Sequence, residues 1–325
     1  MNIRHKLFSA LFITLVANPV FAADSSSTYP QRPVRLVVPY SAGGSSDAVA
    51  RIVGIGLSAR LGQQVVVDNR TGAGTLIGTD IVRQATPDGY VLLLATPPLA
   101  INPSLYAKVP YVLQRDFVAI TNIAGSSNLL VVHPSMPATS VRELIALLKA
   151  NPGKYNYGSS GVGGASHLAM ALFIHMAGAQ ATHIPYKGGA PAVADLVAGR
   201  LNLMMANLTT ALPHIRAGRL KGLGVGKAQR TPLFPEMPTI VEAGLKGYEA
   251  NNWNGLVAPR GTPRAVIARL QKDIAATLQE PAVADRMVRS GLEPIGNTPA
   301  EFAKYLQSEA VKWGALIKAA GIKAE

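Results

Sequence analysis

Val34-Arg35-Leu36-Val37-Val38-Pro39-Tyr40-Ser41-Ala42-Gly43-Gly44-Ser45-Ser46-Asp47 is the stretch from which the fold can be read. An apolar run of strand length, Val34 to Pro39, passes through a Gly-rich turn into a segment whose apolar members, Val49, Ile52, Val53 and Leu57, recur at helical spacing. The unit repeats at once: Val65 to Val67 reads as a strand, Thr75 to Ala85 as a helix, Pro87-Asp88-Gly89 as a turn and Tyr90 to Ala95 as a strand. Strands and helices in strict alternation predict an α/β fold with parallel sheets.

A second series begins with the apolar strand Leu129 to Val132. Ser140-Val141-Arg142-Glu143 has the spacing of a capping box and opens a helix to Ala150. Tyr155 to Tyr157, a helix after Gly164, Thr182 to Ile184, Ala190 to Ala198, Leu203 to Met205 and Leu220 to Val225 continue the alternation. Asn254 to Pro259 is a further strand. Three amphipathic helices follow, at Pro263 to Leu278, Pro281 to Ser290 and Pro299 to Ala319, each starting with a proline suited to the first helical position. A chain of roughly 300 residues after its leader exceeds what one core supports. The expected division is a leader at 1–22, a first lobe at 30–128, a second lobe at 129–252, and a return to the first lobe with C-terminal helices at 253–325.

The leader is read from Arg4, His5 and Lys6, the apolar stretch Leu7 to Val16, and the small residues Val20 and Ala22 at the minus-three and minus-one positions of a cleavage site. Asn18-Pro19 interrupts the run before the roughly 20 apolar residues that a spanning helix needs. The chain has no cysteine, which excludes disulfides, thiolate metal sites, cysteine nucleophiles and a lipoprotein anchor. Losing Arg4 and Lys6 takes the net charge from +13 to +11. The field favours anions, but the basic residues are scattered singly and form no nucleic-acid motif. The expectation is a soluble monomer of the periplasm with no nucleic-acid partner.

The candidate site lies in two glycine-rich strand-to-helix turns. Tyr40, Ser41, Ala42, Gly43, Gly44, Ser45 and Ser46 form the first; Ser160, Gly161, Gly163, Gly164, Ser166 and His167 belong to the second. Glycines there let backbone N–H groups at a helix N-terminus approach an anion, and two such loops, one per lobe, make a facing pair. His167, just inside its helix, is placed to touch ligand or loop. Enzyme signatures fail on spacing. Gly158-Ser159-Ser160-Gly161 has Val162 where a nucleophile elbow needs glycine, and Gly72-Ala73-Gly74 is followed by Gly78 one residue late for a dinucleotide fingerprint, so it reads as a structural turn. His133, His167, His175, His183 and His214 show no metal-ligand pairing with acids. No catalytic residue, metal or cofactor is expected.

These stretches, together with Val65 to Arg70, Pro87 to Tyr90, Asn102 to Tyr106, Pro185-Tyr186-Lys187-Gly188, Pro238-Thr239 with Glu242-Ala243-Gly244, and Trp253 with Gly255-Leu256 and Ala258-Pro259, resemble in order the Bug family of periplasmic receptors, substrate-binding components of tripartite tricarboxylate transporters. The resemblance implies a Venus-flytrap periplasmic binding protein of type II-like form, its lobes joined by two crossing strands near Leu129 to His133 and Gly255 to Pro259. It implies a small carboxylate held by the two loops, with Thr96 as a third contact, no cofactor, no reaction, and membrane permease subunits as partner. Lobes that meet only through strands and ligand are expected to open and close. Pro97-Pro98, Ala206-Asn207 and Gly226-Lys227 depart from the family pattern, the second removing a partner for an ammonium group. A sensor receptor presenting its ligand to a signalling partner is the alternative, and a periplasmic hydrolase a more distant one.

Mass spectrometry of protein recovered from the periplasm should give an N-terminus at Ala23. Retention of Met1 in a membrane fraction would contradict the leader reading.

Overall fold

The computed structural model describes residues 29–186 and 188–323. The leader with its cleavage site, and Lys187, lie outside the described residues. In chain order the elements are β1 (Val34–Val38), α1 (Ser45–Leu61), β2 (Val65–Asn69), α2 (Leu76–Arg83), β3 (Val91–Ala95), α3 (Pro97–Leu105), α4 (Leu113–Asp116), β4 (Phe117–Ser126), β5 (Asn128–Val132), α5 (Val141–Ala150), β6 (Asn156–Ser159), α6 (Ala165–Ala177), β7 (Thr182–Pro185), α7 (Gly189–Val197), β8 (Leu203–Asn207), α8 (Leu208–Arg216), β9 (Lys221–Val225), β10 (Asn252–Pro259), α9 (Arg264–Leu278), α10 (Pro281–Arg289), β11 (Glu293–Pro294) and α11 (Pro299–Ala320).

The strands form two sheets, β11-β4-β10-β3-β1-β2 and β7-β6-β8-β5-β9. Each sheet with its helices is one lobe. The expected parallel pairing holds for β1 with β2 and β3, and for β6 with β7 and β8. It fails at β10, antiparallel to β3 and β4, and at β5, antiparallel to β8 and β9. The reason is geometric: a strand arriving from the other lobe enters its sheet at the end where the parallel strands finish, and must run against them. The two connections differ in length. One is Ser127, between β4 and β5; the other follows β9 and reaches β10 at Asn252. Leu129 to His133 and Gly255 to Pro259, expected at the crossings, begin a few residues past them.

Apart from the edge strands β2, β7 and β11, the sheets are largely buried on both faces, and the period of two decides which core each residue enters. Val34, Leu36 and Val38 pack with α1 and α9, whereas Val37 and Leu93 pack with Val82, Phe302 and Leu306. In the second lobe Leu130 and Val132 join Leu144, Leu148 and Phe173, while Leu129 and Val131 face Val193, Leu196 and Leu208. β4, a ten-residue strand that sequence periodicity did not reveal, breaks this rule. Its register against β10 shifts twice, so Phe117 and Ala119 enter one core and Ile120 and Ile123 the other.

Helix ends refine two expectations. Ser140 Oγ accepts from Glu143 N at 3.2 Å, but the Glu143 carboxylate takes Thr139 N and Thr139 Oγ1, so no reciprocal box closes there. The full box is at α11, between Thr298 and Glu301. Pro281 and Pro299 open their helices as expected; Pro263 instead stands one place earlier, as the N-cap of α9 at ψ 140°.

The lobes meet through more than strands. Ile101 and Leu105 of α3 and Trp313, Leu316 and Ile317 of α11 are part of the second lobe's core. Glu309, 3 % exposed, accepts from Trp253 Nε1 of the first lobe at 3.2 Å and from Trp313 Nε1 at 2.9 Å, with Lys312 as its ion-pair partner. One carboxylate therefore ties the two cores together. Glu309→Ala leaves two buried indole N–H groups without an acceptor and should cost about 1–3 kcal/mol for each. Glu309→Gln, which keeps one acceptor, should cost less. Equal stabilities of the three proteins in urea unfolding would show that the tie contributes nothing.

Candidate functional site

The parallel strands of both lobes finish facing a shared cavity of about 700 Å³. That is where helices following those strands must begin, and five do. Gly44, Ser45 and Ser46 of α1, Thr96, Pro97 and Pro98 of α3, Gly164, Ala165 and Ser166 of α6, Gly188 to Pro191 of α7, and Asn207, Thr209 and Thr210 of α8 all line it. Among the described residues, no Asp, Glu, Lys, Arg or His side chain reaches the lining. Among the described residues, the positive character of the wall comes from helix N-termini alone.

The first loop is held from beneath. Gly43, at φ +83°, donates its N–H to Asp47 Oδ2 at 3.0 Å, and Asp47 also takes Arg51 Nε at 2.9 Å and Asn69 Nδ2 at 3.1 Å. Asn69 Nδ2 bonds Tyr40 O as well, at 2.9 Å. The hydrogen bond from Arg51 is the largest influence holding the Asp47 carboxyl at about 2, so it is ionised at any ordinary pH. Across the strand ends, Tyr40 OH and Thr96 Oγ1 lie 2.9 Å apart, and burial pushes the Tyr40 hydroxyl above its usual range.

The second loop has the same plan. Gly163, at φ +71°, donates its N–H to His167 Nδ1 at 3.0 Å. Ser160 N bonds Ser166 Oγ at 2.8 Å, Gly161 N bonds Ser159 Oγ at 3.1 Å, and Gly164 N bonds Gly161 O at 3.2 Å. Four of the loop's own donors, at Ser160, Gly161, Gly163 and Gly164, are consumed in holding its shape. Neither α1 nor α6 carries a side-chain cap, because glycine stands at both N-caps, Gly44 and Gly164. Gly43, Gly161, Gly163 and Gly164 spend their N–H groups inside the loops, so the donors offered to the cavity are chiefly the first-turn N–H groups of α1 and α6.

Two further walls were not read from the sequence. Ala73, Gly74 and Thr75 are all in the left-handed region, at φ 46°, 60° and 84°, and Asn102 Nδ2 fixes the turn through Gly74 O at 2.9 Å. Gly74 and Thr75 line the cavity, with Tyr106 pressed against Gly74. A threonine at positive φ is strained and announces itself by no residue type. Asn207, by contrast, was legible: its side chain accepts from Thr209 N at 3.0 Å, an ordinary N-cap before an apolar run.

Of the residues expected at the site, Tyr40, Gly43, Gly44, Ser45, Ser46, Thr96, Ser160, Gly161, Gly163, Gly164 and Ser166 line the cavity. Ser41 and Ala42 are exposed outside it, and His167 is buried behind the second loop. Pro97 and Pro98 occupy the first turn of α3, where their missing N–H groups leave nothing to satisfy. Lys227 pairs with Glu293, whose other oxygen takes Thr231 Oγ1 at 3.0 Å, and does not line the cavity. Ser159 Oγ lies 2.6 Å from His183 Nε2, but Ser159 is fully buried away from the cavity. Among the described residues no cluster of three metal-ligating side chains occurs, and no helix is long and apolar enough to cross a membrane.

Residues 49–322 match the family described as tripartite tricarboxylate transporter family receptor. The chain is 35 % identical over 320 residues to Protein BugT of Bordetella pertussis, covering 98 % of each. Its fold superposes on Rpa4515 of R. palustris, solved with adipate, with a TM-score of 0.81 and 37 % identity over 91 % of this chain and 99 % of that one. It also superposes on MatC of Rhodopseudomonas palustris, solved with malate, with a TM-score of 0.76 and 28 % identity over 89 % of this chain and all of that one. With matching sequence along nearly its whole length and the same two-sheet periplasmic-binding-protein architecture, the chain belongs to the Bug receptors of the tripartite tricarboxylate transporter family.

Proposed function

We propose that this receptor captures a small mono- or dicarboxylate between its lobes in the periplasm and, as a monomer, delivers it unchanged to the permease subunits of a tripartite transporter. The observation that carries the reading is the cavity wall: five helices begin on it, and no described charged side chain reaches it. A carboxylate there meets hydrogen-bond donors and positive helix ends, with no fixed anion to repel it. A net hydrogen bond to a charged acceptor contributes about 1.5–3 kcal/mol and a helix N-terminus about 0.3–1, so three or four contacts reach the roughly 8 kcal/mol of micromolar binding. The adipate and malate held by two relatives support the ligand class.

A thermal-shift screen of carboxylates, adipate and malate among them, against their amides tests the class. Ligand at about 100 times its Kd adds roughly 2.7 kcal/mol to stability, and the acids alone should raise Tm by several degrees. Amides that shift Tm as much as acids would contradict the reading. Gly44→Val tests the place. Gly44 has φ −81° and open space, its nearest atom Ser41 O at 3.6 Å from an added Cβ, so the variant should fold. Its side chain stands over the first turn of α1 and should weaken binding by about tenfold, the loss of one such hydrogen bond. A variant that binds as well as the parent would move the anchor elsewhere.

A further inference from the structure

The two anion-facing loops are built alike except for one charge. In each, the third residue of the helix accepts the N–H of the left-handed glycine four places earlier: Asp47 for Gly43, His167 for Gly163. Asp47 is negative and has its neutralising partner one turn on, Arg51 at 2.9 Å. The residue one turn after His167 is Ala171. A carboxylate at 167 would have no such partner.

The protonation state of His167 is set by geometry. A backbone N–H can only donate, so Nδ1 of His167, 3.0 Å from Gly163 N, is the bare nitrogen and the ring proton is on Nε2. The ring lies flat on His183 of β7, centroids 3.9 Å apart, and Tyr157 of β6 stacks with both imidazoles, 4.9 Å from His183 and 6.3 Å from His167. β8 carries no titratable residue, α11 contributes Trp313 to the shared core, and Tyr248 gives its hydroxyl to Ala169 O. Burial first, and the neighbouring imidazole second, lower the His167 pKa to about 4.

Resting on the reading that these loops hold an anion, we infer that His167 is a positioning residue chosen for neutrality: it holds Gly163, and so the turn that opens α6, without placing a negative charge under the ligand. Asp47 can do the same work under the first loop because Arg51 cancels it. The specific claim is that hydrogen-bonding capacity and charge at position 167 separate, the first setting the loop and the second setting affinity.

The test compares His167→Ala, His167→Asn and His167→Asp by hydrogen exchange at the Gly163 amide and by calorimetric titration with adipate and malate at neutral pH. His167→Ala should lose Gly163 protection and weaken binding. Both His167→Asn and His167→Asp, which place an acceptor where Asp47 has one, should restore protection. Only His167→Asn should recover affinity, leaving His167→Asp about tenfold weaker, the size of an uncompensated charge near a screened anion. Equal affinities of His167→Asn and His167→Asp at equal protection would overturn the role of charge. Unchanged protection in His167→Ala would overturn the positioning itself. The exchange measurement needs no ligand, so failure of both acids to bind counts against the carboxylate reading and leaves the clasp decided. A second readout needs no ligand and compares the parent protein with His167→Asn. An unfolded imidazole titrates near 6.5, so with the folded value depressed the stability this group supplies is present above about 6.5 and is lost as pH falls toward about 4. His167→Asn should make that part of the Tm profile less steep, leaving the share of His183, whose pKa burial also lowers. A profile that stays as steep would show that the imidazole is not held neutral.

Discussion

Helix N-termini without caps are the constraint on which the cleft depends. An α-helix leaves its first N–H groups without partners inside the helix, and proteins usually answer with a serine, threonine, aspartate or asparagine at the N-cap. α1 and α6 have glycine there, and no side chain answers. Donors kept open in this way need an acceptor from outside. The rest of the site serves to keep them open and in place: positive φ at Gly43 and Gly163 turns the chain sharply, and Asp47 and His167 pin those glycines from below.

The fold puts these ends together for a topological reason. Parallel strands finish on one side of their sheet, so the helices that follow begin on that side, and the crossing strands β5 and β10 set the two such sides face to face. The approach is steadied by apolar contacts as well as by backbone. Glu309, bonded to Trp253 and Trp313, joins the core of one lobe to a helix embedded in the core of the other. α11 therefore packs into the cores of both lobes and is not an appendage of the first.

Much of this was legible in the residues. Strand-turn-helix alternation from Val34 onward gave the α/β class, and the two glycine-rich turns are the loops that line the cavity. What periodicity could not supply had particular causes. β4 was hidden because two register shifts against β10 scramble its alternation. The antiparallel course of β5 and β10 follows from which lobe a strand comes from, which a local pattern does not record. The left-handed Thr75 carries no signal in its type, and the division of labour within the loops appeared only with distances: Gly43 and Gly163 spend their N–H groups on Asp47 and His167, leaving the following helical turns to face the cavity. His167 was singled out with the right loop, but it lies on the other side of that loop from the cavity.

The measurement that bears most directly on this account is a crystal structure with a bound carboxylate. The account requires the carboxylate oxygens to lie between the lobes, accepting from first-turn N–H groups of α1 and α6 at Ser45, Ser46, Ala165 or Ser166, with no lysine, arginine or histidine side chain among the direct contacts. A carboxylate held instead by a basic side chain, or bound outside the cavity where the five helices begin, would contradict it.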